Sequence, residues 1–192
     1  GKWIIASALE QLSLWQKDYQ TPLTLSINIS PIQLQREFLQ TYLLKTVEKY
    51  NLKTSSIILE ITETAFMENS KEVIEILTSL SNKGFRIALD DFGMGYSSIS
   101  HLISYPIDIV KLDKSMQSLD GENNKRLKII ESLSLMLKKL DFSVVAEGIE
   151  TKAQHQLCKK LNIDYLQGFL FSKPMPANEI NLILNNYKKQ LS

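Results

Sequence analysis

The sequence predicts an α/β fold of the TIM-barrel type, incomplete at its N-terminus, with about six of the eight strands such a barrel needs. Three observations predict it. Six short apolar or alternating runs, starting near Leu23, Ile57, Arg86, Ile107, Ser143 and Tyr165, are separated by stretches with helical period. Strands alternating with helices assemble into one parallel sheet with the helices outside. Each strand also carries one polar parity, whereas a sheet covered on both faces reads as continuously apolar, so the polar side lines a barrel interior. A doubly wound open sheet is the structural alternative, but no GxGxxG turn follows any strand.

In chain order, Ile4, Ala8, Leu12 and Trp15 give residues 3–15 a helical face. Residues 23–30 alternate, with Leu25, Ile27 and Ile29 on one side and Thr24, Ser26 and Asn28 on the other. Ser30, Pro31 and Gln33 then join an N-cap, a first-turn proline and a capping box, so a helix runs to about Tyr50. A strand at residues 57–63 precedes a second capping box, Asn69 with Glu72, whose helix Gly84 closes. The strand at residues 86–91 leads to a short helix over 97–104, and that at 107–113 to a helix over about 125–140. A strand at 143–147 precedes a third box, Thr151 with Gln154; the last strand covers 165–171, and a helix follows Pro176.

A chain of 192 residues with 44% hydrophobic content suits one domain spanning 1–192. Its net charge of +1, without a basic stripe, argues against binding to DNA. No run approaches the roughly 20 apolar residues of a membrane span, and no signal peptide opens the chain. A cytoplasmic domain is expected, free or within a larger membrane-anchored regulator. Cys158 reads as a buried thiol, and neither His101 nor His155 has a partner at zinc-ligand spacing.

Period 2 then assigns Asn28, Glu60, Asp90, Lys111, Asp113, Glu147 and Gln167 to the interior, each near the C-terminal end of its strand, where barrel enzymes keep their sites. Asp91, Glu63 and Glu150 stand beside them. Adjacent Asp90 and Asp91 repel in low dielectric, and several acids facing one lysine would protonate unless divalent cations bound. All-oxygen donors favour Mg2+ or Mn2+ over zinc. Asp90 and Asp91 together could bridge two ions roughly 3.5–4 Å apart, a hydrolytic arrangement for phosphate diesters, with Lys111 near the attacking water or phosphoryl oxygens. The structural alternatives are an Asp-rich turn, and an interior knitted by Lys111 and Arg86, although Arg86 is directed to the opposite mouth.

The runs NIS with Asn28, EITE from Glu60, DDFGMGYSS from Asp90, KLD from Lys111, AEGIE from Glu147 and QGFLFSKP from Gln167 resemble the EAL-domain cyclic di-GMP phosphodiesterases, in order over nearly the whole chain. The resemblance implies a barrel enzyme that linearises cyclic di-GMP to pGpG with two Mg2+ or Mn2+ ions, as a homodimer. It implies metal ligation by Asn28, Glu60, Asp90, Asp91 and Glu147, orientation of water by Lys111, and loop anchoring by Glu63. Asp113 and Glu150 would support the ligands, and Gln167 would contact water or substrate. Two departures stand out: no Glu-Ala-Leu occurs in the chain, and Met94 replaces the usual small residue or threonine. The missing glutamate is expected upstream of Gly1, so this piece is expected to bind metal less tightly and to show reduced or no activity. The alternative function is an inactive module that binds cyclic di-GMP or a protein partner. An unrelated sugar-phosphate barrel would need a phosphate loop after the late strands, where only Gly168 stands.

Overall fold

Period-2 alternation becomes a sheet because each strand has one face to bury. The computed structural model describes residues 1–19, 22–34, 38–63, 71–93, 99–114 and 124–191. Strands β1 (Leu25–Asn28), β2 (Ile57–Thr62), β3 (Arg86–Phe92), β4 (Ile109–Leu112), β5 (Ser143–Ala146) and β6 (Tyr165–Leu166) pair in chain order. Every pairing is parallel, which makes the sheet an incomplete α/β barrel. Around it lie α1 (Lys2–Tyr19), α2 (Pro31–Leu34), α3 (Phe38–Lys49), α4 (Lys71–Asn82), α5 (Ile99–Ser104), α6 (Asn124–Lys139), α7 (Lys152–Lys160) and α8 (Ala177–Leu191).

The outward parity forms the core. Ile57, Leu59 and Ile61 of β2, Ile87 and Leu89 of β3 and Val144 of β5 join one cluster with Leu9, Leu43, Leu77 and Leu137 from the helices. The inward parity faces a cavity of about 360 Å³ lined by Ser26, Glu60, Arg86, Lys111, Tyr165 and Gln167 among others. Two aspartates brace the lower rim: Asp108 Oδ2 accepts from Ile87 N–H at 2.7 Å and Asp164 Oδ2 from Val144 N–H at 2.8 Å. Asp108→Ala strips the buried Ile87 N–H of that acceptor and is expected to cost about 1–3 kcal/mol, read as a lowered urea midpoint at unchanged slope.

The Thr151 cap is complete, with its hydroxyl accepting from Gln154 N–H and the Gln154 side chain returning to Thr151 N–H. At Ser30, Gln33 Oε1 accepts from Ser30 N–H at 3.0 Å. The expected helix to Tyr50 is described as α2 and α3, with 35–37 outside the described residues, as are Asn69 and 97–98.

Two expectations are corrected. The buried face of α1 is Ile5, Leu9 and Leu12, while Ile4 is 57% exposed. That helix meets β1, α3 and α8 at once, so its apolar residues do not form one stripe: Trp15 Nε1 donates to Asn181 Oδ1 of α8 at 2.7 Å. The last strand stops at Leu166, not Phe171. Beyond it the chain turns at Gly168, whose carbonyl accepts from Phe171 N–H at 3.1 Å, and Leu170 packs on the small cluster of Ala146, Ile149 and Cys158.

Candidate functional site

The end of β3 builds the site. Leu89 lies opposite Val110, but Phe92 lies opposite Leu112, so β3 spends three steps where β4 spends two. The extra residue is a β-bulge at Asp90–Asp91. Asp91 takes the left-handed conformation, φ 57°, which aspartate tolerates better than most residues. Strict alternation would send the two carboxylates to opposite faces. With the bulge, oxygens of Asp90, Asp91 and Glu147 lie within 4.8 Å of one another. Phe92 then returns to the core, and Asp91 N–H donates to Asp90 Oδ1 at 3.1 Å.

Lys111 sits at the centre. Its Nζ lies 3.0 Å from Glu60 Oε2, 2.8 Å from Asp90 Oδ1 and 2.7 Å from Glu147 Oε1. Lys111 and Glu60 are both buried. Burial by itself lowers the lysine pKa, but the hydrogen bonds that Lys111 donates to Asp90, Glu147 and Glu60 more than offset it, and the net shift is upward. Glu147 is raised, chiefly by desolvation and with Asp90 and Glu60 adding to it against the pull of Lys111. Asp91 is raised by desolvation and by the charges of Asp90, Asp113 and Glu63, with Lys111 again opposing. One ammonium thus faces the three carboxylates of Glu60, Asp90 and Glu147, with Asp91 beside them, an excess that protonation or added cations must relieve.

The other candidates are spread around this centre. Asn28 ends β1 opposite Glu60 and lines a neighbouring cavity of about 500 Å³ with Ile5, Gln33 and Phe38. Glu63 is buried, and its Oε2 accepts from Gly93 N–H at 3.3 Å. Asp113 follows β4 and donates its N–H to Phe92 O at 3.4 Å. Gln167 lines the barrel cavity, while its backbone links Ala146 and Ile149. Glu150 is exposed, with its N–H donating to Gln154 Oε1 at 2.9 Å. Met94 lies outside the described residues. Reading the sequence by parity missed the bulge and the Gly93 contact. The bulge had a signal: core positions Ile87 and Leu89 are spaced by two, but Leu89 and Phe92 by three.

A parallel barrel-type sheet with acids and a lysine gathered at its strand ends defines an α/β-barrel protein with an acidic cluster at the mouth whose oxygens could hold a cation. The chain belongs to the EAL domain family, whose sequence model matches residues 1–174. It is 38% identical over 93% of its length to the signaling protein YkoW of Bacillus subtilis, of which it spans only 22%. The PaMucR phosphodiesterase, solved as a c-di-GMP complex, superposes with a TM-score of 0.87 at 31% identity, over 94% of this chain and 73% of that one. BlrP1 of Klebsiella pneumoniae, solved as a manganese and cy-diGMP complex, gives 0.80 at 27% identity, over 88% of this chain and 42% of that one. No helix among the described residues is long and apolar enough to cross a membrane.

Proposed function

We propose that this domain hydrolyses cyclic di-GMP to linear pGpG with two Mg2+ or Mn2+ ions. The observation that carries the reading is the convergence of Asp90, Asp91 and Glu147 on a point beside Lys111. The donor set fits a hard divalent cation: every group is an oxygen, and no histidine or cysteine joins the cluster among the described residues. In this reading Asn28, Glu60, Asp90, Asp91 and Glu147 hold the ions, which when bound supply positive charge at the phosphate and acidify water.

The chain's own residues do the rest. Lys111 fixes a positive charge where the phosphoryl oxygens grow negative as water adds to phosphorus and the 3′ oxygen leaves. Glu63 holds Gly93, and with it the start of the segment that follows Asp91, against the site. Asp113 and Glu150 support the ligand-bearing loops, and Gln167 offers an amide to water or substrate from the cavity wall. The domain is further proposed to act in the cytoplasm as a homodimer, alone or within a membrane-anchored regulator.

The test is chromatography of cyclic di-GMP incubated with the purified chain and excess Mn2+. Slow formation of pGpG is expected, because the Glu-Ala-Leu glutamate is absent from this chain, and it is abolished by a chelator and restored by Mn2+ or Mg2+. Intact dinucleotide with no metal uptake would sink the proposal. Metal-dependent binding without cleavage would instead favour a receptor.

A further inference from the structure

The segment carrying Glu147 is held from both sides by backbone hydrogen bonds, and it packs too closely at Gly148 and Gly168 to admit a side chain. Past β5, Glu147 N–H donates to Leu112 O at 3.1 Å on the β4 side. On the β6 side, Ile149 N–H donates to Gln167 O at 3.0 Å, and Ile149 O accepts from Leu170 N–H at 2.9 Å. A Cβ on Gly148 would stand 2.3 Å from Lys114 Cβ, and one on Gly168 would stand 2.2 Å from Ile149 O and 2.3 Å from Ile149 N. Cβ atoms essentially never come within 3.0 Å of a neighbour, so either side chain would push the segment away. Gly148 also has φ +67°.

We infer that Gly148 and Gly168 are positioning residues for the candidate metal site: they let the strands flanking β5 close on residues 147–149 and so fix Glu147 beside Lys111 and the two aspartates. The two contacts differ in kind. Gly148 closes on a side chain that can be trimmed, whereas Gly168 closes on backbone that cannot. A shift of about 1 Å in a ligand-bearing residue is enough to cost much of a site's function. The inference rests on the metal reading only for its binding readout.

The experiment compares Gly148→Ala, Lys114→Gly and the double variant by Mn2+ affinity and by crystal structures of the metal-free proteins. Gly148→Ala is expected to weaken Mn2+ about 10-fold or more and to move Glu147 beyond about 4 Å from Lys111. Lys114→Gly alone should leave affinity unchanged, and the double variant should recover part of the loss, because the colliding Cβ is gone while the positive φ at residue 148 and the Cα of residue 114 at 3.3 Å remain. Gly168→Ala should weaken binding without rescue by Lys114→Gly; if it does not fold, the Gly148 set decides. Folded Gly148→Ala with Glu147 still on Lys111, or a loss that Lys114→Gly does not repair even in part, overturns the inference. If wild type takes up no Mn2+, the metal reading falls, and the Glu147 to Lys111 distance in the crystals alone judges the positioning role.

Discussion

Lys111→Met is expected to lower stability by about 3–5 kcal/mol at pH 8 in the presence of a chelator, because it leaves buried carboxylates without their counter-charge. Glu60 Oε2, Asp90 Oδ1 and Glu147 Oε1 all lie within 3.0 Å of the ammonium that would be lost. The pH dependence has a definite sign. Glu147 already titrates above the ordinary glutamate range in the native protein, and removing Lys111 takes away the influence that lowers it. A carboxyl whose folded pKa exceeds its unfolded one favours the folded state most when protonated, below the unfolded pKa, and that support is lost as pH rises through the folded value. The deficit of Lys111→Met should therefore shrink as the solution is acidified from pH 8 towards pH 5. The pKa of Lys111 is raised, so its own contribution in wild type is full below the ordinary lysine value and persists through neutral pH. Urea midpoints at the two pH values measure the effect, and Mn2+ added at pH 8 should restore part of the loss. Equal midpoints for variant and wild type at pH 8 would mean that water, not Lys111, compensates these acids.

What the sequence disclosed follows from which interactions are local. Ile57, Leu59 and Ile61 announce their strand because one face of β2 is buried in the hydrophobic core, and period 2 records that directly. Glu60, Lys111 and Glu147 fall on the other parity, so their placement on one side of the sheet was legible even though 51 residues separate Glu60 from Lys111. Parity gives the side of the sheet but not the pairing on it, and the three-way contact of Lys111 depends on register across β2 to β5 that no single segment encodes. Helix α1 departs for a similar reason: the core takes Ile5, Leu9 and Leu12 while Trp15 reaches Asn181, so the single stripe of Ile4, Ala8, Leu12 and Trp15 does not describe it. At β6 the run after Tyr165 is apolar enough for a strand, but Gly168 packs against Ile149 and turns the chain. The bulge lies where strand gives way to loop at Asp91, and there parity fixes no direction for a side chain.

Three substitutions at Asp91 separate the work of its backbone from that of its carboxylate, and the expected results diverge. Asp91→Asn should keep the fold within about 0.5 kcal/mol, since asparagine also accepts a positive φ, while losing the charge. Asp91→Gly should be equally stable or nearly so, because glycine adopts φ 57° without steric penalty. Asp91→Ala should cost about 1–2 kcal/mol, the strain of placing an ordinary side chain in the left-handed region. If the bulge serves only to turn the chain, Mn2+ affinity would follow stability, with glycine and asparagine near wild type. If the bulge exists to aim a second carboxylate at the point shared with Asp90 and Glu147, all three variants lose affinity together, by about 10- to 100-fold, whatever their stability. Turnover of cyclic di-GMP should fall in the same order as Mn2+ affinity and not in the order of urea midpoints. Asp91→Gly is the decisive member, because it relieves the backbone and removes the ligand in one step: a variant as stable as wild type that no longer holds Mn2+ assigns the strained conformation to the site, and one that holds Mn2+ normally removes Asp91 from the ligand set.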